Sequence, residues 1–91
     1  MKSIYFDNAA TTAVDPEILR LVSGTMKRIY SNANSSHRIG LEAKKSLDDS
    51  RKLVAKIINC KPEEIVFTSG GTESNNLAIL GFSASLSRQI P

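Results

Sequence analysis

The sequence is poor in the residues that build cross-linked, metal-binding or aromatic-rich folds. Of its 91 residues one is cysteine, one is histidine and none is tryptophan, and aromatic residues make up 5%. One cysteine excludes an internal disulfide framework and any site built from several cysteines. One histidine excludes a histidine-rich metal site. With few large aromatic side chains in a short chain, we expect a thin hydrophobic core.

Long apolar runs and a strong charge bias are also missing. No apolar stretch approaches the ~18 residues of a membrane span, and the first residues lack the apolar core of a signal peptide. We therefore expect a cytoplasmic protein without a membrane partner. The net charge is +3, but lysines and arginines are interleaved with acidic residues. That mixture is typical of solvated helix faces, so we expect no nucleic-acid partner.

Two stretches have the spacing of amphipathic helices. Asp15 can cap a first helix and Pro16 suits its first turn, and we expect this helix to end near Tyr30. A second helix is predicted over residues 38–59, after a polar, turn-rich stretch at 31–36. Each helix has an apolar stripe that we expect to be buried. The stripes contain Ile18, Leu19, Val22, Met26 and Ile29 in the first helix, and Leu41, Leu47, Val54, Ile57 and Ile58 in the second.

The last third of the chain combines strand and helix signals. Residues 62–64 are typical of a turn, and the β-branched and aromatic run at 65–68 predicts a buried strand. A third helix is expected from about Thr72, with Gly81 as a candidate end or kink. Residues 82–91 show no clear pattern.

The junction between the predicted strand and the third helix has the composition of an anion site. Gly70 and Gly71 would let the backbone approach an anion, and the first turn of a helix carries unpartnered N–H groups and partial positive charge. Thr72 adds a hydroxyl donor. The pattern matches neither the Walker loop nor Gly-x-Gly-x-x-Gly. An ordinary turn, with Ser69 or Thr72 as N-cap and Glu73 favoured by the helix dipole, explains the same residues, so both interpretations stay open.

His37 and Cys60 are the remaining candidates for chemistry. His37 precedes the second helix and is a candidate general base, although a lone histidine at a helix start more often forms a hydrogen bond or packs. Cys60 follows a helix end, whereas a nucleophilic cysteine needs a nearby base or a helix N-terminus. We therefore expect structural roles for both side chains.

Four motifs occur in a fixed order along the chain. They are Tyr5-Phe6-Asp7-Asn8-Ala9-Ala10-Thr11-Thr12, Val14-Asp15-Pro16, Asn34-Ser35-Ser36-His37-Arg38 followed by Gly40, and the run from Glu64 to Ala78. With these motifs the chain resembles the N-terminal segment of the cysteine desulfurases, which are pyridoxal-phosphate-dependent enzymes of the aminotransferase class V family. The resemblance covers nearly the whole chain and is least distinctive from Phe82 onward.

The resemblance implies roles for three segments. In the family, the residues matching Gly71 and Thr72 hold the phosphate of pyridoxal 5′-phosphate. The residues matching 8–12 lie near the active-site mouth, and the segment matching 34–40 lies close to the site of the dimer partner. By this resemblance, the sequence contains two residues that would bind the cofactor's phosphate, Gly71 and Thr72, and none that would bind its ring.

The implied fold is the N-terminal fragment of a fold-type I pyridoxal-phosphate-dependent transferase. It would contain an extended arm, two helices, one core strand, a Gly-Gly turn and a third helix. Residues 1–15 would be the N-terminal arm, and residues 16–91 would be the incomplete start of the cofactor-binding α/β domain.

The resemblance also implies the function of the intact enzyme. The family removes sulfur from L-cysteine, giving alanine and an enzyme persulfide that serves an iron–sulfur scaffold or another sulfur acceptor, and it acts as a homodimer. The lysine that binds the cofactor covalently and the catalytic cysteine match positions beyond this chain, so we expect the chain alone to be inactive. The alternatives are a non-catalytic fragment that pairs with a full-length desulfurase and regulates it, and a small anion-binding module.

Two local departures from the family pattern affect turns. Ala33 stands where a proline is common, and Asn59-Cys60 stands where Gly-Ala is common. We expect these changes to loosen the turns without destroying them. Neither His37 nor Cys60 matches the family's cofactor-stacking histidine or sulfur-accepting cysteine.

Overall fold

The computed structural model describes residues 2–89, which form three α-helices and one turn of 3₁₀ helix. The helices are α1 (Pro16–Arg28), α2 (Arg38–Ile57) and α3 (Gly71–Gln89), and the 3₁₀ turn is Pro62–Glu64. Met1, Ile90 and Pro91 lie outside the described residues, so the expectation for 82–91 is tested only as far as Gln89. The chain divides into two units, 1–50 and 51–91, with the boundary inside α2.

Helix α1 begins where the sequence predicts. The Asp15 Oδ1 atom accepts a hydrogen bond from Glu17 N at 2.8 Å, and Pro16 occupies the first turn. The helix ends at Arg28, two residues before the predicted end. The expected burial of its apolar face is wrong for this chain, because no residue of α1 is buried and Met26 is 69% exposed. An apolar stripe is buried only where another layer packs against it.

A close-packed turn leads into α2. Ser35 N donates to Asn32 O at 3.0 Å, and Asn34 N donates to Asn32 Oδ1 at 2.8 Å, so the Asn32 side chain reinforces the turn. Ala33 lies at its second position, where proline is favoured because its φ is already fixed. The turn therefore forms without the proline that is common in the family, as expected.

The C-terminus of α2 explains the second departure. Asn59 has φ of 57°, in the left-handed region, and it is the one non-glycine residue with positive φ among those described. Asn59 N donates to Lys56 O, and Cys60 N donates to Ala55 O at 2.9 Å, the paired bonds of a Schellman motif. Asparagine is the residue that best replaces glycine in this conformation, so the turn is kept.

The second unit lacks the strand that the sequence predicts. Within residues 51–89, the run 65–68 is extended but belongs to no sheet, and Val66 is 64% exposed. The prediction of a buried strand is therefore not confirmed in this chain. A strand forms only when a neighbouring strand supplies hydrogen-bond partners, and none of the described residues forms one.

Helix α3 starts within one residue of its predicted position and runs further than predicted. It continues through Gly81, so the idea that this glycine ends the helix is wrong. Residues 82–89, which carry no clear sequence pattern, are helical. No charged residue lies between Glu73 and Arg88, and apolar side chains are distributed around the helix rather than along one stripe. A helix of this kind is typical of the interior of a larger domain.

Burial is minimal in both units. Among residues 2–89, the buried apolar side chains are Ala43 and Ala55. No helix in that range is long and apolar enough to span a membrane. The same range contains no group of histidine, cysteine, aspartate or glutamate side chains that could hold a metal ion.

Candidate functional site

The candidate site is the turn from Thr68 to Ser74, which joins the extended run 65–68 to the start of α3. Gly70 O accepts the first helical hydrogen bond from Ser74 N at 3.1 Å. Gly70 therefore occupies the capping position, for which the sequence favours Ser69 or Thr72. Thr68 Oγ1 donates to Gly70 O at 3.1 Å and shares a hydrogen bond of 2.5 Å with Ser74 Oγ. Thr68 thus links both sides of the turn.

Glu73 reaches back from the first turn of α3 to Ser69. One oxygen, Glu73 Oε2, accepts from Ser69 N at 3.0 Å and from Ser69 Oγ at 2.5 Å. These bonds, the hydroxyl bond first and the backbone bond second, lower the pKa of Glu73 below its ordinary value of 4.5. The carboxylate is fully exposed and ionised at neutral pH. It binds Ser69, the residue before the capping Gly70, and so leaves the N–H groups of Gly71 and Thr72 to other partners.

Gly71 and Thr72 supply the donors of the site. Their N–H groups belong to the first turn of α3, where a helix offers no acceptor of its own. A Cβ built on Gly70 or Gly71 meets no atom within 4 Å, and neither glycine has positive φ. Backbone conformation and packing among the described residues therefore require glycine at neither position. What glycine does provide here is open space beside backbone donors.

The donor set suits an anion. The N–H groups of Gly71 and Thr72 and the exposed hydroxyl of Thr72 are all capable of donating to phosphate oxygens, and the positive end of the helix dipole lies at the same place. The Glu73 carboxylate is the one unfavourable charge in this turn, and its two bonds to Ser69 hold it on the residue before the cap. The turn therefore fits the phosphate end of a cofactor.

Arg51 is a contact residue that sequence reasoning missed. Its Nη1 atom donates to Ile65 O at 2.6 Å, and its Cζ atom lies 5.2 Å from the centroid of the Phe67 ring. The two residues of the hydrogen bond are 14 positions apart in the chain. No local pattern reports such a contact, although an arginine on a helix followed by an aromatic extended run is the combination that permits it.

His37 and Cys60 have structural surroundings, in agreement with the sequence analysis. His37 precedes α2, its Nδ1 accepts from Gly40 N at 3.1 Å, and its carbonyl oxygen accepts from Leu41 N. It is therefore the N-cap of α2, and an accepting Nδ1 leaves the ring proton on Nε2. Cys60 is half-buried and follows the C-terminus of α2, where its N–H donates to Ala55 O.

The chain belongs to the aminotransferase class-V family, whose family model matches residues 4–89. The match covers all four motifs and the turn at Gly71 and Thr72. It confirms the family resemblance and, with it, membership of a family of pyridoxal-phosphate-dependent enzymes.

Curated relatives include cysteine desulfurases. The chain is 53% identical to the cysteine desulfurase IscS of Shewanella amazonensis over 86% of its length, and 41% identical to that of Dictyoglomus turgidum over 94%. It is also 45% identical to selenocysteine lyase of Rattus norvegicus over 86% of its length. These matches cover 20%, 22% and 18% of the respective relatives. The chain thus spans about a fifth of the length of the curated relatives it matches. No solved structure is a significant match.

Proposed function

We propose that Gly71 and Thr72 bind the phosphate of pyridoxal 5′-phosphate. The open start of α3 carries this proposal. The N–H groups of Gly71 and Thr72 and the Thr72 hydroxyl lie there, and the described structure does not otherwise require glycine at Gly70 or Gly71. The family match, which includes this turn, supports the same assignment. The chain offers residues for the phosphate end of the cofactor only.

We further propose that the intact protein is a cysteine desulfurase. It would remove sulfur from L-cysteine, leaving alanine and an enzyme persulfide for iron–sulfur cluster assembly, with a scaffold or another acceptor receiving the sulfur. Relatives named cysteine desulfurase at 41% and 53% identity support this activity. The protein would act in the cytoplasm as a homodimer.

In the intact protein, residues 1–15 would form the N-terminal arm and residues 16–91 the start of the cofactor-binding α/β domain. The extended run 65–68 would become a core strand when neighbouring strands supply its hydrogen-bond partners. The exposed apolar side chains of α1 and α3 support this proposal, because they are the surfaces that a larger domain would cover.

The cofactor, when bound, supplies the electron sink that weakens bonds at the substrate's α-carbon. The residues of this chain do something simpler. The donors at Gly71 and Thr72 hold the phosphate and so fix where the ring lies, and Thr68 and Glu73 keep those donors in place through their own bonds. We therefore propose that the chain by itself contributes binding and no turnover.

A selenocysteine lyase is the second candidate, because the rat enzyme of that name is 45% identical to the chain. The two candidates share the phosphate turn and differ in whether the preferred substrate carries sulfur or selenium. Alanine formation from L-cysteine and from L-selenocysteine by the intact protein separates them. A marked preference for selenocysteine would overturn the desulfurase proposal and leave the phosphate site standing.

The phosphate site is tested with pyridoxamine 5′-phosphate, which lacks the aldehyde that would react with surface lysines. We expect it to shift the backbone amide resonances of Gly71 and Thr72 in NMR spectra of the chain, while pyridoxamine without phosphate does not. Equal shifts with both compounds, or shifts located elsewhere, would contradict the proposal.

Thr72→Val removes the hydroxyl and keeps the side-chain shape. Loss of one charge-assisted hydrogen bond should weaken pyridoxamine 5′-phosphate binding by about 1–3 kcal/mol. Thr25→Val is the matched control, because the Thr25 hydroxyl donates a hydrogen bond to Leu21 O within α1. An unchanged dissociation constant in Thr72→Val would refute the role of its hydroxyl.

A further inference from the structure

We propose that Arg51 is a positioning residue that fixes how the chain enters the phosphate-binding turn. Its guanidinium contacts the approaching segment twice, through Nη1 to Ile65 O at 2.6 Å and through the face of Phe67 with Cζ 5.2 Å from the ring centroid. Ile65 and Phe67 lie two residues apart, so one guanidinium contacts both the backbone and a side chain of the same short segment. The ligand-binding part of this inference rests on the proposed function.

The run is held at its start by the bond from Ile65 N to Pro62 O at 3.1 Å and at its end by the bonds of Thr68 Oγ1, and the two Arg51 contacts act between them. Residues 65–68 belong to no sheet, and Val66 is 64% exposed. A hydrogen bond from a cationic donor is stronger than one from a neutral donor. Arg51 is half-buried, so solvent and salt screen its charge less than they screen the charge of an exposed side chain. A guanidinium is planar and has several donors, so it can lie over a ring and donate to a carbonyl at the same time.

The position of Phe67 affects the N–H groups of Gly71 and Thr72 through a short series of contacts. Thr68 follows Phe67 directly, and its Oγ1 bonds to Gly70 O and to Ser74 Oγ. Gly70 O in turn accepts the first hydrogen bond of α3. The position of Phe67 therefore sets the position of Thr68, and Thr68 sets the first turn that carries the Gly71 and Thr72 N–H groups.

Arginine is required at this position by geometry and not only by charge. Arg51→Lys keeps the positive charge but replaces the planar fork with a single ammonium, which cannot maintain both contacts. Arg51→Met keeps an unbranched helix-compatible side chain and loses both contacts. Phe67→Leu removes the ring and leaves the bond to Ile65 O. Lys52→Met is the matched control, because Lys52 is the exposed neighbour on the same helix.

The test uses the 91-residue chain with amide hydrogen exchange and pyridoxamine 5′-phosphate binding, both followed residue by residue by NMR. In Arg51→Met and Arg51→Lys, we expect exchange at Ile65, Ser69 and Ser74, whose N–H groups are hydrogen-bonded, to rise about tenfold and pyridoxamine 5′-phosphate to bind about tenfold more weakly. Phe67→Leu should give a smaller change in the same direction. Lys52→Met should change neither quantity, and circular dichroism should report unchanged helix content in every variant.

Each outcome decides something different. Unchanged exchange at Ile65, Ser69 and Ser74 in Arg51→Met would overturn the positioning role. Faster exchange with an unchanged dissociation constant would show that Arg51 holds the segment without serving the site, which also overturns the proposal. If the unaltered chain fails to bind pyridoxamine 5′-phosphate, the proposed phosphate site has failed, and the exchange data still decide whether Arg51 positions the turn.

Discussion

The two helix starts that contain a motif glycine have opposite surroundings. At the start of α2, Gly40 is buried, and a Cβ built on it would lie 2.8 Å from Ser35 Cβ and 2.9 Å from Asn32 O. At the start of α3, a Cβ on Gly71 would meet no atom within 4 Å. His37 Nδ1 takes the Gly40 N–H in the first case. In the second, the first-turn N–H groups have no helical acceptor.

The comparison separates two reasons for a glycine that the sequence alone presents alike. Gly40 is needed because the turn at residues 32–35 packs directly against its backbone, so its role is structural. Gly71 meets no such neighbour, so its small size benefits a molecule that approaches from outside. A motif glycine is therefore a better indication of ligand binding when its surroundings are open and its backbone donors are unused.

The largest expected effect comes from adding one methyl group at Gly40, with the same change at Gly71 as the comparison. Gly40→Ala should destabilise the start of α2 by about 1–3 kcal/mol, because the turn must move to admit the Cβ. Gly71→Ala should change stability by less than about 0.5 kcal/mol. Amide exchange at Ser35 and Leu41, whose N–H groups are bonded in this region, measures the first effect. Equal responses at the two glycines would remove the distinction drawn here.

The cap of α2 should give an intermediate effect. His37→Ala leaves Gly40 N without its acceptor and should cost about 0.5–2 kcal/mol in local stability. His37→Asn supplies a carbonyl oxygen at the capping position and should recover most of the loss. Helix content by circular dichroism and exchange at Gly40 report the change. Equal helix content and equal exchange at Gly40 in the alanine and asparagine variants would show that His37 is not a cap.

The smallest effect should come from Glu73, whose carboxylate is fully exposed. Its pKa is lowered in the folded chain by the Ser69 hydroxyl and then by the Ser69 N–H. Its contribution is therefore present above the ordinary glutamate pKa of 4.5 and is lost as the pH falls through the lowered value. Glu73→Gln should remove this acid sensitivity of Ser69 amide exchange. An identical pH profile in the variant would show that another group controls it.

Local chemistry could be predicted from the sequence, and long-range contacts could not. The Asp15 cap, the 62–64 turn and the start of α3 follow from side chains acting on their own neighbourhood, and each occurs within a residue or two of its predicted place. The Glu73 to Ser69 bonds are also local. The sequence does not reveal these bonds, because it favours Ser69 or Thr72 at the capping position, which Gly70 occupies.

Burial failed as a prediction because an apolar pattern shows which face can be covered and not what covers it. Leu19 and Val22 follow helical spacing yet are 55% and 47% exposed. Val66 has the residue type of a core strand, but a strand depends on partners from elsewhere in a domain. The contact of Arg51 with Ile65 and Phe67 was missed for a related reason, since it depends on how the chain returns to α2 after the turn.

The Arg51 to Ile65 bond has a further consequence for the behaviour of the chain in solution. An extended β-branched run with open backbone groups can recruit the same run of another molecule, as exposed sheet edges do. By occupying Ile65 O, the guanidinium withholds one acceptor at the beginning of that run and places a positive charge beside it. The same side chain that directs the turn would thus act as a gatekeeper against self-assembly through strand pairing.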